Sequence, residues 1–271
     1  MLLSPGRTEP IEKYFETIEV LTGRGYVVLV HDWRGQGLSQ RMLTDRMLGH
    51  ARGYKNFLTD YAALIAAFQS RMPKPWIALG HSMGGCLTLL ALASGQTGFS
   101  GAILSAPMLG LNTGTIPAPV ARIFASALSV VGLGGRPIMR SPPSTDFGSN
   151  ILTHDRTRWE RNEGQTTAFP ELALGDPTWG WLDFAFTATG ILQAGPQVPK
   201  LAIPITVITA GQERLVDNIA SRLVASRLPC GRILDVPGAY HEILQETDEV
   251  RAVFWREFDD LVEKSATAPT E

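Results

Sequence analysis

Cysteine is scarce: Cys86 and Cys230 are the two in 271 residues, too few for a disulfide framework. Stability must come from a core, and a chain of this length buries a substantial one. Neither charge sign dominates, with 24 Lys and Arg against 26 Asp and Glu for a formal net charge of −2. That balance removes the electrostatic case for nucleic acid, or for an anionic membrane surface, as the main partner. Uncharged apolar runs of 18 or more residues are missing, so no membrane span is expected. The start, Met1 to Gly6, has neither the basic nor the long apolar region of a secretory signal, and the expected location is cytoplasmic. No internal repeat is visible. The remaining composition, 44% hydrophobic and 18% charged, is that of one large globular domain or one domain with an insertion.

The chain is organised around Ala78-Leu79-Gly80-His81-Ser82-Met83-Gly84-Gly85. The run Pro75 to Leu79 reads as a strand and Cys86 to Ala93 as a helix; Cys86 reads as a small buried hydrophobe on that helix. A serine with glycines at −2 and +2, between strand and helix, is the nucleophile-elbow pattern. At either glycine a Cβ is expected to collide with the neighbouring strand or helix. The turn lifts a hydroxyl above the sheet and sets helix N-terminal amides beside it. Five residues match by chance often enough that the flanking elements and a correctly ordered acid and histidine must carry the argument.

Other segments supply that frame. Pro10 to Thr22 predicts a helix with Ile11, Tyr14, Phe15, Ile18 and Leu21 as its stripe, and Tyr26 to Val30 a buried strand ending in the loop His31 to Ser39. A helix over about Lys55 to Arg71 follows, with Leu58, Tyr61, Ala62, Leu64, Ile65 and Phe68 on its apolar face, and then a strand over Ser100 to Pro107. The alternation stops over 111–200, where helical patches fall at Val120 to Val131, Thr153 to Arg161 (Thr153 as N-cap) and Trp179 to Thr187. It resumes with a strand at Ile205 to Thr209, a helix over Asp217 to Arg227, a strand at Gly231 to Val236 and a helix over Glu246 to Val262. The fold class is therefore α/β, a mostly parallel sheet flanked by helices with an inserted helical cap. The expected divisions are 1–110 and 201–263 for the core, 111–200 for the cap, and a disordered tail over 264–271.

In such a sheet, ligands sit at the strand C-terminal ends. Arg7, the His31 loop, Ser82, the loop after Thr209 and the loop after Val236 all fall there. The base must follow the serine and the acid in sequence. His31 and His50 precede Ser82, His81 adjoins it with its ring directed away, and His154 lies in the insertion; His241 after the last strand is the candidate base. Ser105 to Thr115 holds no carboxylate, so the acid comes from Ala210 to Asp217. Glu213 stands at the strand end, whereas Asp217 precedes a helical pattern as an N-cap would; Glu213 is favoured, with Asp217 as the alternative. The oxyanion donors are expected to be the N–H groups of Met83 and of Arg7, since Pro5 has none to give. Gly6 can also be a plain turn, with Arg7 and Glu9 as a structural ion pair. Of the insertion's aromatics, Trp179 and Trp181 are candidate substrate-binding residues, and most of the others are expected to form the insertion's own core. The apolar helix at Val120 to Val131 is a candidate for peripheral membrane contact.

Gly80 to Gly85, the loop His31 to Ser39, and Gly238-Ala239-Tyr240-His241-Glu242 together resemble the monoacylglycerol lipase and lysophospholipase group of α/β-hydrolases. Gly6 to Glu9, Ile11 to Phe15, and Leu172 to Trp181 are similar to its bacterial lysophospholipase L2 branch. The resemblance runs through nearly the whole chain. It implies hydrolysis of a fatty-acyl ester, a small-molecule substrate, through a serine acyl-enzyme, with no metal and no organic cofactor. It carries Ser82 over as nucleophile, His241 as base, Glu213 as acid, and Met83 and Arg7 as oxyanion donors. Where the group often has His-Gly this chain has Pro5-Gly6, and the group usually has further strands before this point. A short first strand is expected to leave a neighbour unpaired and to lower stability. The alternatives are a serine aminopeptidase of the same superfamily, which wants a carboxylate cluster in the cap, and a catalytically impaired binding protein.

Overall fold

The computed structural model describes residues 1–140 and 146–267. Six parallel strands form one sheet among the described residues: β1 (Leu2–Ser4), β2 (Leu29–Val30), β3 (Trp76–His81), β4 (Phe99–Ser105), β5 (Ile205–Ala210) and β6 (Gly231–Val236), in the order β2-β1-β3-β4-β5-β6. The chain moves outward from β1 to β2, then returns to lay β3 on the other side of β1. This reversal is the topological switch point, where a crevice opens beyond the strand ends.

Alternation along the strands divides the core between the two faces. Leu2, Ala78, Ala102 and Leu104 point to one side, while Leu3, Ile77, Leu79 and Ile103 point to the other. The first face is covered by α2 (Lys55–Phe68), α3 (Ser82–Ala93) and α7 (Asn218–Ala225). The second is covered by α1 (Phe15–Gly23) and α8 (Asp248–Thr267), through Leu21, Phe254 and Phe258. The central strands β3 and β5 are buried throughout, which is why they read as unbroken apolar runs.

Several elements differ from the sequence expectation. The strand expected over Tyr26 to Val30 shrinks to Leu29–Val30, because β1 offers partners only at Leu2 and Leu3. Residues Ile11–Tyr14 form a 3-10 turn ahead of α1, which rotates the buried face onto Lys13, Tyr14, Thr17 and Leu21 and leaves Phe15 exposed. On α2 the buried side chains are Phe57, Tyr61 and Ile65, so Phe57 replaces most of the expected stripe. The last helix runs to Thr267, with Ser265 buried, and so takes in the first four residues of the expected tail; 268–271 lie outside the described residues.

Among the described residues between β4 and β5 stand three α-helices, α4 (Ala118–Val130), α5 (Arg156–Ala168) and α6 (Trp179–Ala194). The N-cap of α5 is Asp155, accepting from Arg158 N–H, and not the expected Thr153, whose hydroxyl donates to Gln245 O. Arg158 fastens α5 to Glu16 of α1 and to Asp248 of α8, both at 2.6 Å. Helix α4 is different: Ala121 and Ala125 are buried, while Ile123 and Phe124 are 68% and 58% exposed.

Candidate active site

Ser82 stands where β3 becomes α3, with φ at 49°. A non-glycine residue there is held in a strained left-handed conformation, a recurrent feature of functional sites. The flanking glycines admit it: a Cβ on Gly80 would lie 2.7 Å from Gly85 Cα, and one on Gly84 would run into the carbonyl oxygens of Ser4 and Pro5. Behind it, Cys86 is a buried free thiol, as read, and burial pushes it up to about 12.

Two loops from later strands reach the serine. His241, after β6, meets Ser82 Oγ through Nε2 at 2.9 Å and Glu213 Oε2 through Nδ1 at 2.7 Å. Glu213 follows β5, and its other oxygen accepts from Arg214 and Leu215 N–H at 2.9 and 2.7 Å. Burial acts to raise the Glu213 carboxyl, but the hydrogen bond and charge of His241, with the Leu215 and Val216 amides, hold it below its ordinary value. The alternative acid is occupied elsewhere. Asp217 caps α7, accepting from Ile219 N–H at 2.8 Å and Ala220 N–H at 3.3 Å.

The turn after β1 is pinned from the His31 loop: Trp33 Nε1 donates to Pro5 O at 2.8 Å and Gln36 Nε2 to Gly6 O at 2.7 Å. Beyond it, Arg7 and Met83 line one narrow pocket with His50, Phe57, Leu174 and Trp181. The Arg7 guanidinium donates from Nη1 and Nη2 to Gly175 O at 2.8 and 2.9 Å, and its carbon lies 5.3 Å from the Trp181 ring centre. The suggested Arg7–Glu9 pair does not form; the two side chains take different partners. Trp179 does not line the pocket, but packs with Ala121, Ala125 and Phe186. Phe186 packs within the insertion against Ala121 and Ala125, but Phe184 joins the main core, its ring centre 4.9 Å from that of Phe57. Phe169 is exposed, so the insertion's aromatics do not form the separate core expected of most of them.

A model of the serine aminopeptidase (S33) family matches residues 1–248. The chain belongs to that family of α/β-hydrolases. This S33 hydrolase is 34% identical over 272 residues to lysophospholipase L2 of Escherichia coli (strain K12), a match covering 93% of this chain and 77% of that one. It is 25% identical over 257 residues to the monoglyceride lipase of Rattus norvegicus, covering 92% and 77%. The crystal structure of Paleococcus ferrophilus monoacylglycerol lipase superposes with a TM-score of 0.77 at 18% identity, over 97% of this chain and 93% of that one, and shows the same fold. The resemblance drawn from the Ser82, His31 and His241 segments is thus shown, as is the fold class.

The S33 hydrolase also carries a buried charged group that the sequence reading missed. Glu9 Oε2 accepts from Gly6 N–H, from Tyr14 OH at 2.5 Å and from His81 Nδ1 at 2.9 Å. Lys13 bridges Glu9, at 3.1 Å, to Glu242, the neighbour of His241. His81 Nε2 faces His241 O at 3.2 Å. Both His81 nitrogens therefore meet acceptors only, which requires both to carry protons. Burial opposes that charge, and Glu9 overcomes it, raising His81 above its ordinary value. Burial would likewise push Glu9 up, but the charges of His81 and Lys13 hold it well below the carboxylate range. The one local signal in the sequence was a lysine on the inner face of an amphipathic stripe.

Proposed function

We propose that the chain is a serine carboxylic-ester hydrolase acting on lysophospholipid or monoacylglycerol-like esters through an acyl-enzyme. The hydrogen-bonded run Ser82–His241–Glu213, at 2.9 and 2.7 Å, carries this reading. With Nδ1–H donated to Glu213, His241 Nε2 is left to accept the Ser82 proton. Ser82 Oγ then bonds to the ester carbon while the carbonyl electrons move onto oxygen, which the Met83 and Arg7 N–H groups receive. Collapse breaks the ester C–O bond, and His241 returns its proton to the leaving alcohol. A water, deprotonated by the same nitrogen, attacks the acyl-enzyme and releases the fatty acid and free Ser82.

The lipid class draws support from the relatives' names and from the insertion, residues 111–200, which serves as the cap. Ile116, Val120, Ile123 and Phe124 are exposed apolar side chains on or before α4, suited to transient contact with a lipid surface. No helix among the described residues is long and apolar enough to cross a membrane. Trp181 is the substrate-contacting tryptophan in this reading. An aminopeptidase would hold a substrate ammonium, and the Arg7 cation on the pocket wall opposes that.

A fluorophosphonate probe tests the nucleophile. Folded wild type labels and Ser82→Ala does not; its kcat on acyl esters falls by at least about 10⁴. Absence of Ser82-dependent labelling in folded protein overturns the enzyme reading, and equal kcat/KM across all acyl lengths overturns the lipid assignment.

A further inference from the structure

Arg7 is a guanidinium sunk into the pocket wall without a carboxylate within ion-pair distance among the described residues. Its direct partners are neutral, the Gly175 carbonyl and the Trp181 ring. Both bonds to Gly175 O leave from the Nη1–Nη2 end, so that one carbonyl occupies the tip of the fork. Of the five N–H donors, those of Nε and the outer side of Nη2 form a second edge, the pair that matches two oxygens of a phosphate. Arg34, the other cation on this pocket, is already spent on Asp60, with both bonds at 2.5 Å. Burial also pushes the Arg7 guanidinium down to about 10, against the opposite pull of Asp176, so its charge is held at a cost. A half-buried cation with no carboxylate within 4 Å among the described residues, on a narrow cleft shared with the residue after the nucleophile, is placed to receive an anion.

We infer that Arg7 is the specificity-determining residue for a phosphate-bearing head group, and that this pocket prefers lysophospholipids to neutral monoacylglycerols of the same acyl chain. The inference rests on the ester-hydrolase reading. The backbone N–H of Arg7 serves the reacting carbonyl while its side chain reads the alcohol portion, so one residue ties head-group recognition to the oxyanion turn. Trp181 over the guanidinium holds the fork in one plane, and the Gly175 carbonyl fixes its direction.

The test compares kcat/KM for lysophosphatidylglycerol and monoacylglycerol with one acyl chain, in wild type, Arg7→Met and Arg7→Lys. Only the ratio of the two substrates is read, because losses shared by both report the oxyanion turn or cap packing. The expected wild-type ratio favours the phosphate ester. It falls at least tenfold in Arg7→Met through KM and recovers partly in Arg7→Lys, which restores charge without the planar fork. A ratio unchanged within twofold, or no wild-type preference, overturns the inference and leaves the ester-hydrolase reading standing. In a second arm, sn-glycerol 3-phosphate competes with a neutral ester in wild type and weakly in Arg7→Met; equal inhibition by inorganic phosphate assigns the site to free phosphate and overturns the head-group inference. If no ester is hydrolysed with Ser82 dependence, the ester-hydrolase reading fails, and this inference with it.

Discussion

His241 lies between two charged groups built from the same residue types. On one side a carboxylate, Glu213, and an imidazole lead to the Ser82 hydroxyl. On the other a carboxylate, Glu9, and a second imidazole, His81, are joined by Lys13, Glu242 and Tyr14, all buried. The difference is what each ring nitrogen faces. His241 Nε2 faces a hydroxyl, which both donates and accepts, so a proton can shift along that line. His81 faces a carboxylate and a carbonyl, which only accept, so its protons have nowhere to go. The first arrangement can do acid–base work; the second holds the Gly6 turn, the elbow strand and the His241 backbone in register.

The sharpest break of this comparison is in activity. Glu213→Gln should lower kcat on a chromogenic ester by about 10³–10⁴-fold, while Asp217→Asn changes it by less than about threefold; a larger loss for Asp217→Asn would move the acid to the helix cap. Next, Glu9→Gln should cost about 3–5 kcal/mol in urea unfolding, since Lys13 and His81 lose a buried counter-charge. A cost within 1 kcal/mol would mean that the rear group carries no structural weight. The third test is pH. His81 is raised in the fold, so its contribution is complete below the ordinary value of 6.5 and drains away as pH climbs through the raised value. Glu9 is depressed, so its share is present above the ordinary 4.5 and fails on acidification. Urea midpoints should thus decline on both sides, and His81→Gln should remove the alkaline slope and also make the acid one shallower, because the His81 charge is part of what holds Glu9 down. Smallest is Asp217→Ala, about 1 kcal/mol for a lost N-cap, with activity kept.

What could be read in advance follows the same division. β3 and β5 carry their burial in composition, and chain order around two strand ends singles out Ser82 and His241, which the fold brings to 2.9 Å. An N-cap has a local signature and a strand-end carboxylate a different one, which is why Asp217 reads as the cap it forms on α7 and Glu213 as the favoured partner of His241. The rear group has none: Lys13 pairs with Glu242 across the sheet, and nothing within ten residues of either forecasts the other. Glu9 was weighed only against Arg7, its near neighbour, although its partners lie at Gly6, Lys13, Tyr14 and His81. The stripe expected on the Pro10 to Thr22 helix fails at Phe15 for the same reason, since the 3-10 turn that exposes it also turns Lys13 inward.

That bridge from Lys13 to Glu242 sets a timetable for biogenesis. As the chain leaves the ribosome, Lys13 emerges 229 residues before its counterpart Glu242. Until Glu242 arrives the segment beneath the Gly6 turn holds charges whose balance has yet to be made, and closing so long a loop is slow. Acyl-ester cleavage should therefore appear late and abruptly on a nascent chain, as a signal that the last strand has docked.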